Sequence, residues 1–375
     1  MKLVVCTNFA QPFHTGGAER IVQQITEHIV SKGNLCTVFC QHGTHSVYHN
    51  GVKVIPIGFL NEQQFIELLV SEGADHVMVY SDWFFMWPAI LKNLDKINSD
   101  KSIALVGMNR MRSELPQHKA SAELFRKNHQ QFKVLAHAES YIDVKTCKDW
   151  NIPVRIIHNS VDMSEFVKSD FDFKSYYGIN TEKMLLCVSN FFPGKGQEFL
   201  TPIIARLNRK RKDFTFVFIS STLAFQPGNR LREMIVNQCR GLPVKFLNDI
   251  PRSHVVQSYF ASDVFVFPSQ QECGPIVLLE AMAAKKPWVA LNVGHVADLK
   301  GGFCVDSAMG PREMKKFDAS VSLAFEKHID ELLSDKSLAN TLGEDGYQKV
   351  VADYNWDEIK ERYSSFFNSK KTWLG

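Results

Sequence analysis

From its amino terminus the chain alternates short apolar runs with longer stretches in which apolar residues recur every three or four positions. Short continuous runs suit strands buried on both faces, and the longer period suits helices that cover them. The pattern therefore predicts a parallel α/β sheet with crossover helices. In the first half, strands are expected at Leu3–Cys6, Cys36–Cys40, Val52–Ile57, His76–Tyr80, Ser102–Val106, Val134–Ala138 and Val154–His158. Between the first two, Ala18, Ile21, Val22, Ile25 and Ile29 fall at helical spacing across Ala18–Ser31, a βαβ unit that opens on a Gly-Gly turn.

The same pattern restarts after a polar, acidic break at Ser164–Lys174, with strands expected at Met184–Ser189, Phe214–Ser220, Val244–Leu247, Val264–Phe267, Trp288–Leu291 and Phe303–Val305. The fold class is thus α/β, with two Rossmann-like domains: residues 1–162 and residues 163–355, followed by a final helix at 356–370. That helix carries Trp356, Ile359, Tyr363 and Phe366 on one face and needs a partner surface. Ligands of such sheets bind beyond the carboxyl ends of the strands, and two such edges can face each other across a cleft.

Composition changes this picture little. An apolar share of 45% and 28 phenylalanines in 375 residues fit two cores built around bulky rings, and a formal charge of +3 does not by itself demand nucleic acid or an acidic membrane. The apolar run after Met1 is too short for a signal peptide and no stretch approaches a membrane span, so a cytoplasmic protein is expected. Eight cysteines without metal-like spacing read as free thiols, and no metal site is expected.

The candidate chemistry concentrates in Pro268–Met282 (PSQQECGPIVLLEAM), which runs from the end of a strand through a loop into a helix. Gly274 and Pro275 fall where the helix begins: proline suits the first helical turn and glycine admits a ligand to the backbone. The unpaired N–H groups and positive dipole end at that point favour phosphate. Seven residues separate Glu272, in the loop, from Glu280, about one turn into the helix. This spacing lets one carboxylate read a nucleotide ribose while the other faces a sugar. The plain alternative makes Glu272 a surface acid and Glu280 a helix residue with a local lysine partner.

The whole stretch resembles the E-x7-E motif of the large family-4 group of retaining glycosyltransferases with the two-domain GT-B fold. Leu279–Ala283, Pro287, Gly294 and Asp298 follow in the order usual for that group. The resemblance implies a nucleotide-diphosphate sugar as donor substrate, with Glu272 at the donor sugar, Glu280 at the ribose, and backbone near Gly274–Ile276 on the diphosphate. No further cofactor is implied.

Other segments carry the same resemblance. His14–Glu19 is similar to the group's G-G-A-E loop, and Gly16 and Gly17 there let backbone N–H groups close on phosphate or sugar. Val188–Gly196 (VSNFFPGKG) is similar to its phosphate-binding stretch, with Lys195 as partner of the diphosphate and Asn190 where an arginine is usual. His158–Asp162 resembles the P-N-G-V-D hinge, and Tyr354–Trp356 opens a last helix that in the group returns to the first domain.

There are also departures. The histidine common near the reacting sugar has no counterpart, and Asp82 and Asn109 are the positional candidates, unless they merely cap the helices that follow. Lys285 replaces a usual glycine and Ser220–Ser221 stand where a glycine pair is common, which makes an unusual donor pocket an expectation. Epimerase or phosphorylase chemistry on the same fold, or a non-catalytic partner subunit, are the alternatives.

For the acceptor, a polysaccharide, a glycolipid or a small metabolite is implied. The cluster Arg110, Arg112, Lys119, Arg126, Lys127 and Lys133 favours an anionic acceptor, a membrane surface or nucleic acid such as a hydroxymethylated base in DNA, against the plain reading of a solvated helix face. Trp83–Trp87 reads as core or as a membrane-facing patch, and Arg206–Lys212 as a solvated helix end.

Overall fold

The structure, a computed structural model, describes residues 1–368 apart from 15, 81–84, 98–101, 107–115, 129–131, 138–140, 152–153, 222–225 and 311–313. The chain divides into two compact units, Met1–Asn159 with the segment that starts at Asp357, and Ser160–Trp356.

The first unit holds an eight-stranded sheet of β1 (Lys2–Thr7), β2 (Leu35–Cys40), β3 (Val47–His49), β4 (Val52–Pro56), β5 (His76–Tyr80), β6 (Ser102–Val106), β7 (Phe132–His137) and β8 (Val154–Ile157). Its order is β3-β4-β2-β1-β5-β6-β7-β8. Every pairing is parallel except that of β3 with β4. The second unit holds six parallel strands, β9 (Lys183–Val188), β10 (Phe214–Ser220), β11 (Val244–Asn248), β12 (Val264–Phe267), β13 (Trp288–Leu291) and β14 (Gly302–Val305). Their order is β11-β10-β9-β12-β13-β14.

The apolar runs become strands because both faces are covered: Leu3 to Cys6 and Val264 to Val266 have no accessible surface. The helix Gly17–Ser31 buries Ile21, Val22, Ile25 and Ile29, the stripe its sequence spacing predicts. The one strand missed, β3, is three residues long and returns through Asn50–Gly51. Both have positive φ, 50° and 80°, the backbone of a tight hairpin that the Asn-Gly pair favours.

Three local expectations are corrected. Ser164–Lys174 is not a bare polar linker: Phe166 and Phe173 are 8% and 2% exposed and join the core of the second unit. Arg206–Lys212 is not simply solvated, because Arg206 and Lys210 both pair with the buried carboxylate of Glu326 and Arg211 pairs with Asp213 and Asp330. Lys285, third, lies away from the carboxyl edge of the sheet. It follows the far end of the helix Ile276–Ala283, where Lys285 N–H donates to Met282 and Lys286 N–H to Ala281. These two bonds close the helix in the manner that favours glycine, and Lys285 takes the left-handed φ of 57° there.

Within Trp83–Trp87 the described residues Met86 and Trp87 are fully buried, so that part is core. All eight cysteines are free thiols, and burial pushes the Cys40 thiol up to about 12. Among the described residues no helix is long and apolar enough to cross a membrane. The last helix, Trp356–Asn368, buries Ile359, Tyr363, Phe366 and Phe367 in the first unit. There Ser364 meets His28 at 2.8 Å and Glu361 meets Lys32 at 2.9 Å.

Two stability measurements check this account by urea denaturation. Tyr363→Ala, at a position 1% exposed, is expected to cost about 3 kcal/mol or more. Lys285→Val is expected to cost roughly 1–2 kcal/mol because a branched side chain resists the left-handed backbone, while Lys285→Gly changes stability by less than about 1 kcal/mol.

Candidate functional site

In the second sheet the chain leaves β9 toward β10 and β11 and then crosses to β12 on the other side of β9. The crevice between the carboxyl ends of β9 and β12 is therefore a topological switch point, where α/β sheets take ligands. The two loops that flank it are the two singled out in the sequence, residues 189–196 and 268–275.

The loops touch through backbone. Gln270 N–H donates to Gly194 O at 2.8 Å, and Gly196, with φ of 77°, comes so close that a Cβ there would lie 2.2 Å from Pro268 O. Only glycine satisfies both the dihedral and the approach. The Gln197 amide donates to Ser189 O and Asn190 O at 3.2 and 3.0 Å and cross-ties the first loop.

This docking brings Lys195 and Glu272 together across the crevice: Lys195 Nζ donates to Glu272 Oε1 at 2.6 Å, and Ser269 Oγ donates to the same oxygen at 2.7 Å. Glu272 Oε2 makes no hydrogen bond among the described residues. The lysine side chain is 34% exposed and the carboxylate 14%, so the pair is reached from solvent mainly over the ammonium.

The helix start beside it differs in one detail from expectation. Pro275 has ψ of 103°, which is extended, so it precedes the helix and Ile276 is the first helical residue. No side chain caps this start, and the dipole end of such a helix suits an anion. Asn190 Oδ1 accepts from Ser221 N–H at 2.9 Å and ties the loop after β9 to that after β10, where Ser220 Oγ is 2.8 Å from the Asn248 side chain.

Glu280 is 4% exposed, and the partner of its carboxylate is not a local lysine. Oε1 pairs with Arg252 at 2.6 Å and Oε2 accepts from the Tyr259 hydroxyl at 2.7 Å. Burial and then the adjacent carboxylate hold the Tyr259 phenol well above its ordinary range, so it remains a donor.

Two neighbours of these loops, His295 and Lys315, were not singled out in the sequence. Gly294, with φ of 58°, carries the loop after β13 against the Cys273 carbonyl, 2.0 Å from where its Cβ would lie, and His295 beside it is 1% exposed with its pKa lowered by burial. Gln270 also exchanges bonds with Lys315, N–H to carbonyl at 2.9 Å and side-chain amide to carbonyl at 2.6 Å, which docks the segment after β14 on the Glu272 loop. Gly294 was the sequence signal for the first, and the second had none.

In the first unit Gly16 precedes and Gly17 opens the helix after the central strand β1, again without a side-chain cap. Gly16 is extended at φ of −160°, so its backbone does not itself require glycine. His14 packs edge-on to Phe9 at 4.8 Å, and Phe9 stacks on His42 at 4.7 Å. Asp82, Asn109, Arg110 and Arg112 lie outside the described residues, as does the Lys133 side chain. Of the basic cluster, Lys119, Arg126 and Lys127 are exposed on the helix Pro116–Asn128.

The chain is similar to known proteins in sequence over part of its length and in fold. Residues 182–323 match the family described as Glycosyl transferases group 1. An uncharacterized glycosyltransferase of Methanocaldococcus jannaschii is 24% identical over 244 residues, 62% of this chain and 58% of that protein. The chain thus spans little more than half the length of the curated relatives it matches. Among solved structures, sucrose-phosphate synthase from Thermosynechococcus elongatus has a TM-score of 0.78 at 17% identity, with 98% of each chain covered. Anabaena HepE, solved in complex with UDP-glucose, has a TM-score of 0.75 at 17% identity over 98% of this chain and 99% of that one. Residues 182–323 thus resemble a Glycosyl transferases group 1 domain, within a chain that has the fold of the GT-B glycosyltransferases.

Proposed function

We propose that the protein is a glycosyltransferase that takes a sugar from a nucleotide-diphosphate donor at the carboxyl edge of the second sheet and transfers it to a hydroxyl with retention of configuration. The observation that carries this reading is the Lys195–Glu272 pair, 2.6 Å apart across the switch point and beside an uncapped helix start. A diphosphate leaving group needs positive charge where its own negative charge grows, and an ammonium with the helix amides supplies it without a metal ion. Glu272 Oε2 is left to accept from a hydroxyl of the donor sugar, Glu280 meets the ribose, and the Asn190 amide and the backbone at Gly274 border the diphosphate. Transfer with retention by front-face attack lets the departing phosphate accept the acceptor proton, so the protein mainly positions the reactants and stabilises charge. The UDP-glucose complex of Anabaena HepE supports a nucleotide-sugar donor.

For the acceptor we favour a polyhydroxyl compound, a polysaccharide or the sugar head of a glycolipid. In the first unit the loops after β1 and β2, residues 8–16 and 41–46, contain no Asp, Glu, Lys or Arg but carry Phe9, Phe13, His14, His42 and His45. Stacked rings and imidazoles suit the C–H face and hydroxyls of a sugar, whereas a nucleic-acid backbone calls for cations. The exposed Lys119, Arg126 and Lys127 favour a second reading, with DNA as acceptor, which a salt titration of duplex binding checks: no affinity at low ionic strength removes it.

A thermal-shift screen against UDP-, GDP-, ADP- and CMP-sugars is expected to single out one donor, with stabilisation of about 2.7 kcal/mol at a hundred times its dissociation constant. Donor turnover without an acceptor would point instead to an epimerase, a requirement for free phosphate to a phosphorylase, and no shift with any donor to a non-catalytic subunit. Glu272→Gln and Lys195→Ala are each expected to lower kcat by about 100-fold or more with the fold retained, and Glu280→Gln chiefly to raise the donor KM. Wild-type turnover in either of the first two variants would overturn the assignment.

A further inference from the structure

The donor reading gives Glu280 a task but leaves unexplained the arginine that covers it. Arg252 opens the helix Arg252–Ala261 that follows β11, and Glu280 lies in the helix that follows β12, so both stand toward the same edge of the sheet. Arg252 Nη2 meets Glu280 Oε1 at 2.6 Å, and the same nitrogen, with Nε, donates to Glu165 Oε2 at 3.0 and 3.3 Å. The guanidinium also lies over the Phe166 ring, 5.6 Å from its centroid. Arg252 is 28% exposed where Glu280 is 5%, so the pair meets solvent through the arginine.

A guanidinium is a planar fork in which Nε and Nη2 share one edge and Nη2 and Nη1 share the next. Glu165 takes the first edge. Nη2 also makes the ion pair with Glu280 Oε1, and the remaining nitrogen, Nη1, makes no hydrogen bond among the described residues. The pair thus combines one acceptor, Glu280 Oε1, with the donors of Arg252 Nη1, which belongs to the same guanidinium as the nitrogen that Oε1 meets. A hydroxyl both donates and accepts, and matches that combination better than it matches a carboxylate alone.

We propose that Arg252 is a specificity-determining residue that reads a ribose hydroxyl jointly with Glu280, the hydroxyl donating to Glu280 Oε1 and accepting from Arg252 Nη1. The proposal rests on the nucleotide-sugar reading and adds to it: recognition is by an ion pair, held on one side by Tyr259 and on the other by Glu165 and Phe166. The consequence is selection of ribonucleotides over their deoxy forms.

Equilibrium binding of UDP, 2′-deoxy-UDP and 3′-deoxy-UDP to the full chain tests it, with the matching guanosine and adenosine sets alongside. The wild type is expected to bind the ribonucleotide of its preferred base about tenfold or more tightly than one of the two deoxy forms. Arg252→Lys keeps the charge and loses the fork, so this ratio falls to within about threefold. An arginine that merely supports the fold predicts that all three nucleotides weaken alike and the ratio survives, which overturns the proposal. Should Arg252→Lys fail to fold, Glu165→Gln, at a side chain 33% exposed, releases the guanidinium and is expected to lower the same ratio. An unchanged ratio there overturns the proposal equally. A wild type that binds none of the nucleotides refutes the donor reading itself, whereas nucleotide binding with a ratio that survives the variants refutes only the role of Arg252.

Discussion

Everything at the candidate site depends on the contact between two loops at the switch point, where Gly196 lies against the Pro268 carbonyl and Gln270 bonds to Gly194. It sets Lys195 within 2.6 Å of Glu272 although they are 77 positions apart in the sequence. A carboxylate only 14% exposed has given up most of its water and must be compensated, here by an ammonium and a serine hydroxyl on one oxygen. The ammonium is the more exposed partner and sits on a flexible four-carbon stem, so it can exchange a carboxylate oxygen for a phosphate oxygen with little loss of interaction. In the proposed reaction the ion pair is thus a preorganised resting state, already holding the charge at the point where a diphosphate would need it.

The fold supplies that contact through its topology. Parallel strands joined by crossover helices put every strand-to-helix loop at one edge, so the loops after β9, β10, β12 and β13 become neighbours without being close in sequence. Their remaining freedom is removed by backbone contacts that need no particular chemistry beyond glycine: Gly196 against Pro268, and Gly294 against Cys273. Lys285 shows the opposite arrangement. It takes a glycine-like backbone as a lysine, with its ammonium on Glu344 at 2.8 Å and 4.4 Å from the Tyr347 ring centroid. These exposed contacts are weak.

What was legible in the sequence follows from which interactions are local. Apolar runs buried on both faces, the amphipathic stripe of Gly17–Ser31 and the loop into Ile276 announce themselves within a few residues, and their boundaries moved by only one or two positions. The Asn50–Gly51 turn was equally local, but a three-residue strand is too short for a period to register. The ion pairs were invisible for a different reason. Arg206 finds Glu326 and Arg252 finds Glu280 from other crossover units, and a charge run carries no mark of a partner that far along the chain. The same holds for the docking of Lys315 on Gln270.

The two carboxylates of the E-x7-E stretch, alike in the sequence, differ in the constraint that folding places on them. Glu272 sits in a loop with one oxygen unclaimed among the described residues and an exposed lysine as partner. Glu280 sits in a helix with both oxygens engaged, one by a buried phenol that stays protonated and one by a guanidinium clamped against Glu165 and Phe166. Burial works against the charge on Arg252, but Glu280 and Glu165 more than offset it and raise its pKa, so the clamp keeps its charge. A group held so firmly cannot follow a reacting centre as charge moves, whereas it can impose a fixed pattern on a part of a ligand that does not react. The more exposed pair and the clamped pair therefore divide the site, and the division arises from the partners each glutamate finds in the fold.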